Sequence, residues 1–370
     1  MRASLKFLLV QFAWLIAAVV ALYAIKAVGD RLLPRAQAGQ GLRAVLFING
    51  TLGDKSFFDG AAKGMRDAAR ALPVSVRIIE GGTDPTRWLP ALTSLVDSGD
   101  YDLIVTGTFT MAPYVEQLAR DYPDRRFVLY DASVDTRRCA CRNVQSLLFR
   151  QNEGAYLAGY LAAKLDQAGL PGMPPGGGLG VMGGMQFPVV DDFIVGFRAG
   201  AKAADPSLPV ATQYANSFSD PALGKEIAKT MYGRGAGIVF HVAGASGQGV
   251  NEAALETGRY AIGVDVDQYA IYQRHQPALA ARIVTSVIKN VDVAVLEAIR
   301  RAARSAREGN APTTGGILSL GLAERGVSLA PRAGALENAP PALLLELDQV
   351  QAEIITGQRR VPSAFAAKTS

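Results

Sequence analysis

A chain of 370 residues, 49% hydrophobic and 19% charged, has the composition of an ordinary globular protein and the length for two lobes of roughly a hundred residues or more each. Its formal net charge of +5 is mild. Arg300, Arg301, Arg304, Arg307, Arg359 and Arg360 fall on helical or terminal segments with no aromatic-interleaved basic stripe, which argues against nucleic acid as a partner.

At the start, Arg2 and Lys6 precede an apolar run from Phe7 to Ile25 that stops at Lys26. Roughly nineteen apolar residues are enough to span a bilayer, so the run reads as a signal sequence or as a signal anchor, and the remainder as exported. Ala36-Gln37-Ala38 is an A-x-A triplet well beyond it. No cysteine near this end could carry a lipid.

Val45 to Gly64 is the stretch around which the remaining chain is organised. Ala44 to Ile48 is an apolar strand pattern suited to the centre of a parallel sheet. Asn49, Gly50 and Gly53 break it, and Asp54 or Ser56 can cap a helix carrying Phe57, Ala61, Ala62 and Met65. Ligands of open α/β sheets bind at such a rim, where strands end and helices begin. Phe57 and Phe58 sit there.

Downstream, Val74 to Ile79, Tyr101 to Thr108 and Arg125 to Ser133 read as strands, with helices over Asp84–Ser98 and up to Tyr122 between them. Four strands and three helices with short connections predict a doubly wound parallel lobe, complete near residue 135. Cys139-Ala140-Cys141 lies in a basic loop and either closes a local disulfide or leaves reactive thiols. His241 and His275 have no partner at ligand spacing, so no metal site is expected.

A second lobe begins at Asn143. Glu153 to Ala168 is a helix whose Gly154, Ala155, Ala158, Gly159, Ala162 and Ala163 suit close packing. Strands follow at Gly178–Gly184, Pro209–Asn216, Gly237–Gly244 and Tyr260–Gln268, separated by helices, one of which spans Pro221 to Tyr232. Asp131 and Asp265 each end a strand, facing a cleft or capping a helix, and Asp267 is the better cap. Ala280 to Arg307 is expected to be one long helical segment containing Lys289. Short strands near Thr314–Leu322 and Gly326–Ala330 and a helix from Leu343 to Thr356 complete the chain.

The segments GTLGDKSFFDGAAKG, YDAS, NVQSLLFRQNEGAYLAGYLAA, IVFHVAGASGQGV, YAIGVDVDQ and TSVIKNVD resemble, in order, the signatures of the basic membrane protein (BMP) family of ABC-transporter substrate-binding proteins, purine-nucleoside receptor type. The resemblance runs from about Arg43 to Gly357. It implies an α/β type I periplasmic-binding-protein fold: two doubly wound, Rossmann-like lobes joined by crossover strands, with ligand enclosed between them. Residues 1–42 would be the signal or anchor plus linker. Lobe 1 would be 43–146 with about 264–320, and lobe 2 147–263 with about 321–360.

The resemblance also implies a site. Phe57 and Phe240 would sandwich a purine, Asp265 and Lys289 would hold the ribose, Asn49 and Asp131 would meet the base edge, and Gly244 and Ser246 would offer backbone donors. A carboxylate accepts vicinal hydroxyls and an ammonium beside it keeps the buried charge paired. The chain departs from the family in carrying Ile48 before Asn49 where many relatives have Asp, Phe58 where Asn is commoner, and no lipid-accepting cysteine. The expected protein is a monomeric, cofactor-free receptor, not an enzyme. It would be exported to the periplasm or tethered to the outer face of the inner membrane, and would deliver a nucleoside to permease subunits. The alternatives are a membrane-tethered sensor of the same fold or an exported nucleoside hydrolase. The latter lacks a GxSxG motif, and Asp265 with Asp267 is the carboxylate pair on which it would have to rest.

Overall fold

Leu42–Ile48 (β1) is buried at every position but Arg43, because its apolar run is covered on both faces by helices. The structure, a computed structural model, describes residues 41–365 apart from 136, 174, 309–314, 332 and 337–338; the predicted export segment lies outside the described residues. In the first lobe β1 is followed by Phe57–Ala71 (α1), Val74–Glu80 (β2), Trp88–Ser98 (α2), Leu103–Gly107 (β3), Ala112–Asp121 (α3), Phe127–Tyr130 (β4) and Val144–Phe149 (β5). The second lobe runs through Gln151–Ala168 (α4), Leu179–Gly183 (β6), Pro188–Ala204 (α5), Val210–Tyr214 (β7), Pro221–Gly233 (α6), Ile238–Val242 (β8) and Ser246–Thr257 (α7). Tyr260–Asp265 (β9), Gln268–Tyr272 (α8), Pro277–Ala280 (α9) and Ile283–Lys289 (β10) continue it. Val291–Arg307 (α10), Gly316–Leu320 (β11), Val327–Leu329 (β12) and Pro341–Ile355 (α11) follow.

The first sheet has the order β11-β5-β4-β3-β1-β2 and is parallel throughout; the second has the order β12-β10-β9-β8-β6-β7, antiparallel only where β12 meets β10. One apolar cluster fills a face of each sheet, beneath α1, α4, α5, α10 and α11, and two smaller clusters fill the opposite faces. The expected tight helix is α4. A methyl group added at Gly159 or at Gly200 of α5 would overlap the carbonyl of Phe197 or Tyr156, so the two helices touch backbone to backbone.

Two expectations are corrected. The predicted helix over Ala280–Arg307 is a strand and then a helix, because IVTSVIK is β-branched and buried and pairs with β9 and β12. The lobe boundaries shift with it. β9 and β10 stay in the second sheet, so the chain returns to the first lobe at Asn290 rather than near 264; it first leaves that lobe at Arg150, after β5, rather than at 147.

The crossings are bonded to one another. The Arg150 amide donates to Leu320 O at 2.9 Å and the Asn290 amide to Gly326 O at 2.9 Å. Arg150 pairs with Glu153 at 2.6 Å and Glu324 at 2.5 Å. Three crossings tied in this way allow the lobes to hinge as bodies while the joint stays intact.

Candidate functional site

The turn after β1 is built by two aspartates. Asp54 accepts from the amides of Ser56, Phe58 and Asp59 at 3.0, 2.8 and 3.1 Å, and so caps α1. Asp59 accepts from Gly53 and Lys55, both at 2.9 Å. Of the two predicted caps, Asp54 serves, which frees the Ser56 hydroxyl to donate across the lobes to the Asp265 carboxylate. Phe57 is thereby fixed at the lip of the first lobe, 5.4 Å from the Tyr130 ring and 5.5 Å from that of Phe58.

Lys289, the last residue of β10, reaches into this corner. Its side chain is 2% exposed, its Nζ lies 2.7 Å from Asp131 Oδ1, and it stands 5.5, 5.5 and 5.1 Å from the rings of Phe57, Phe149 and Phe193. An ammonium stripped of water is held by one carboxylate and three ring faces. Asp131 and Asp265 both adopt left-handed φ, +59° and +66°, at the ends of β4 and β9, a strained backbone typical of functional sites. Burial pushes the Asp265 carboxyl up to about 6, against the pull of Lys289 and Ser56. Burial also raises Asp131, opposed by Lys289. The predicted Asp267 cap is present, accepting from the Ala270 amide at 3.1 Å.

Asn49 follows β1 and lies beside Thr108 and Thr110, with its Nδ2 at 2.9 Å from each hydroxyl and the hydroxyls 2.7 Å apart. The proton count orients the amide. Three contacts need three protons, and two hydroxyls alone cannot supply them, so the amide nitrogen must face the threonines. Oδ1 is left as a buried acceptor with no partner.

Phe240 is a correction. It is 0% exposed in the middle of β8, packed 5.1 Å from the Phe197 ring and 6.2 Å from that of Phe193, both on α5. Mid-strand side chains of a doubly wound sheet point into the helix layers, so Phe240 is core and no wall of a cleft. Ser246 is a second correction. Its amide donates to Phe218 O at 3.2 Å, and its hydroxyl accepts from the Asp220 amide at 2.9 Å and donates to Ser217 O at 3.0 Å. With Gly244 at φ +54° beside it, this turn is a clamp for the loop carrying Phe218. His241 is buried and neutral, its pKa lowered by burial to about 4, with Nε2 3.2 Å from Gln268 Oε1.

Phe218 is the residue that the motif reading missed. It is 39% exposed and lies against Gly184 and Gly244, at the carboxyl ends of β6 and β8. The signal was available: an aromatic after a strand and just before the Asp220-capped helix α6, the same local setting as Phe57. Ser56, read only as a possible cap, and Phe149 and Phe193 were also missed as neighbours of this cluster.

A cavity of about 860 Å³ meets the cluster only at Asp131 and Phe149; it is lined by Phe109, Asn152, Pro188, Asp192 and Arg359 among others, and not by Asn49, Phe57, Phe218, Asp265 or Lys289. That volume falls in the range of small-molecule sites, roughly 300–1,000 Å³. Among the described residues no group of three metal-ligating side chains converges.

Residues 42–362 match the family profile of ABC transporter substrate-binding proteins, PnrA-like. The chain is 34% identical to basic membrane protein A of Borreliella burgdorferi over 60% of its own length and 63% of that protein's. It is 29% identical to a CD4+ T-cell-stimulating antigen of Listeria monocytogenes, over 86% of this chain and 87% of that one. Among solved structures it resembles an ABC transporter solute-binding protein of Aeropyrum pernix, 28% identical with a TM-score of 0.73, covering 87% of this chain and 94% of that one. A Caulobacter myo-inositol binding protein, 17% identical with a TM-score of 0.59 over 83% of this chain and 98% of that one, shares the fold. The two sheets and their crossings are those of type I periplasmic binding proteins. The chain belongs to the Bmp family of PnrA-like ABC transporter substrate-binding proteins.

Proposed function

We propose that this protein captures a nucleoside, a purine nucleoside by best fit, between its lobes and delivers it to permease subunits from outside the cytoplasm. The observation that carries the reading is the buried Lys289 between Asp131 and Asp265, with Phe57 against its ammonium. Carboxylate oxygens accept from vicinal sugar hydroxyls, and the ammonium, which gives one of its three protons to Asp131, has protons left to donate. A ring at the lip of the site suits a flat heterocycle, because stacking tolerates any base, at about 1–3 kcal/mol per base. In this reading Phe57 comes from the first lobe, Phe218 takes the place expected of Phe240, and Asn49 meets the base edge. The export segment of the sequence supports a position outside the cytoplasm.

The test is native mass spectrometry of freshly purified protein followed by titration calorimetry with adenosine, inosine, guanosine, cytidine and free ribose. Retained or saturable binding of a purine nucleoside, with no loss of its mass on incubation, is the expected result. Binding of ribose as tight as that of any nucleoside would overturn the base-stacking half of the reading, and hydrolysis of the ligand would overturn the receptor.

A further inference from the structure

We infer that Phe109 and Phe187 form a latch between the lobes, and that Phe187 transmits its state to Phe218. Phe109 opens the short helical turn after β3, in the first lobe; Phe187 immediately precedes α5, in the second. Their ring centroids are 4.3 Å apart at 52°. Phe187 in turn lies nearly parallel to Phe218, at 17° and 6.4 Å. The three rings therefore run from the first lobe to the lip of the second, beside the cavity that Phe109 lines.

The backbone holds all three rings in place. Thr108, at φ +74°, donates its amide to Tyr130 O at 3.0 Å and accepts from the Met111 amide at 3.1 Å, which fixes Phe109. The Phe187 amide bonds Met185 O at 3.0 Å, its carbonyl accepts from the Asp191 amide at 2.8 Å, and Pro188 follows it. Phe218 is pinned through its carbonyl by the Ser246 amide at 3.2 Å. Rings presented on a fixed backbone lose little further freedom when they meet, so the contact is a net gain on closure. Parting the lobes separates Phe109 from Phe187, and Phe187 then keeps only Phe218 of its two ring neighbours. Phe109 and Phe187 act as positioning residues for closure and for the orientation of Phe218.

The inference rests on the reading of the cleft as a ligand trap, and its test has one arm that does not depend on the ligand. Phe109→Ala, Phe187→Ala and the double variant are compared with Phe187→Tyr, which keeps the ring. Dissociation of inosine and guanosine, followed by stopped-flow displacement, is expected to accelerate about tenfold in each alanine variant, the size of one aromatic contact. The double variant is expected to be no faster than the faster single one, Phe187→Tyr to stay near wild type, and melting temperatures to hold, because both rings are only half-buried. Unchanged dissociation in Phe109→Ala, or effects that multiply in the double variant, would overturn the latch. Small-angle scattering without nucleoside supplies the independent arm. Phe109→Ala is expected to be more extended than wild type, and superimposable profiles would overturn the latch. If wild type binds none of the nucleosides, the nucleoside reading falls and the scattering result still decides the latch.

Discussion

Lys289 Nζ lies 2.7 Å from Asp131 Oδ1, joining the last residue of a strand in one sheet to the residue that ends a strand in the other. The pair is both a structural tie between the lobes and the polar centre of the proposed site, so changes to it act on stability and binding together.

Removing one partner strands the other. Lys289→Met is expected to destabilise by about 3–5 kcal/mol, because Asp131 and Asp265 are left buried without their cation. The double variant Lys289→Met with Asp131→Asn is expected to recover most of the melting temperature and none of the nucleoside binding. Denaturant unfolding and calorimetry on both variants check this; recovery of affinity in the double variant would dissociate the pair from the site.

Asp265 gives the site a pH dependence whose two signs can be separated. Its folded carboxyl titrates near 6, above the ordinary carboxylate value, so the folded state holds its proton more tightly than the unfolded chain. This group's contribution to stability is present below the unfolded pKa and is lost as pH rises through about 6. Asp265→Asn removes that charge penalty and is expected to raise the melting temperature at pH 8. Binding runs the opposite way. Sugar hydroxyls need the ionised acceptor, so nucleoside affinity is expected to weaken below pH 6 by up to about tenfold per pH unit, with proton release on binding near pH 6. Calorimetry in buffers of different ionisation enthalpy measures the released proton, and Asp265→Asn should abolish both the release and most of the affinity.

The two phenylalanines of the second lobe make opposite predictions. Phe218→Ala is expected to cost about 1–3 kcal/mol of nucleoside affinity with little change in melting temperature. Phe240→Ala is expected to destabilise by about 3–5 kcal/mol as a core truncation, while the protein that remains folded binds as before. Phe57→Ala should behave like Phe218→Ala. An affinity loss confined to Phe240→Ala, in protein shown to be folded, would restore Phe240 to the site and remove Phe218.

Asn49 presents a bare acceptor, so the edge of the base that meets it must carry a donor. Adenosine, with its exocyclic amino group, is expected to bind about 10–100-fold more tightly than purine riboside, which lacks any donor on that edge. Replacing Thr108 and Thr110 by valine frees the amide to turn and should erase the difference. Equal affinities in wild type, measured by competition, would show that Oδ1 faces no base.

Most of the fold follows from local patterns. The apolar run of β1, the Asp54 cap of α1 (one of the two candidates), the small residues of α4 and the Asp267 cap each specify a backbone conformation from a few neighbouring residues, and each is found as expected. The local pattern puts Asn49, Phe57, Asp131 and Asp265 at strand or helix ends, where a cleft in this fold lies, whereas Lys289, expected inside a helix, ends a strand instead. The sequence misled where local and tertiary signals compete. IVTSVIK, next to a helical stretch, forms a strand because a gap between β9 and β12 has to be filled, and Phe240 follows its strand into the core although its motif pointed to the cleft.

Only the tertiary structure decides which side chains meet. Lys289 and Asp131 are 158 residues apart, and Ser56 and Asp265 are 209 apart. No periodicity in either segment encodes those encounters; they arise because three crossings bring the carboxyl ends of the two sheets face to face. The same closure sets Phe109 against Phe187 and brings Asp131 and Asp265 to one ammonium.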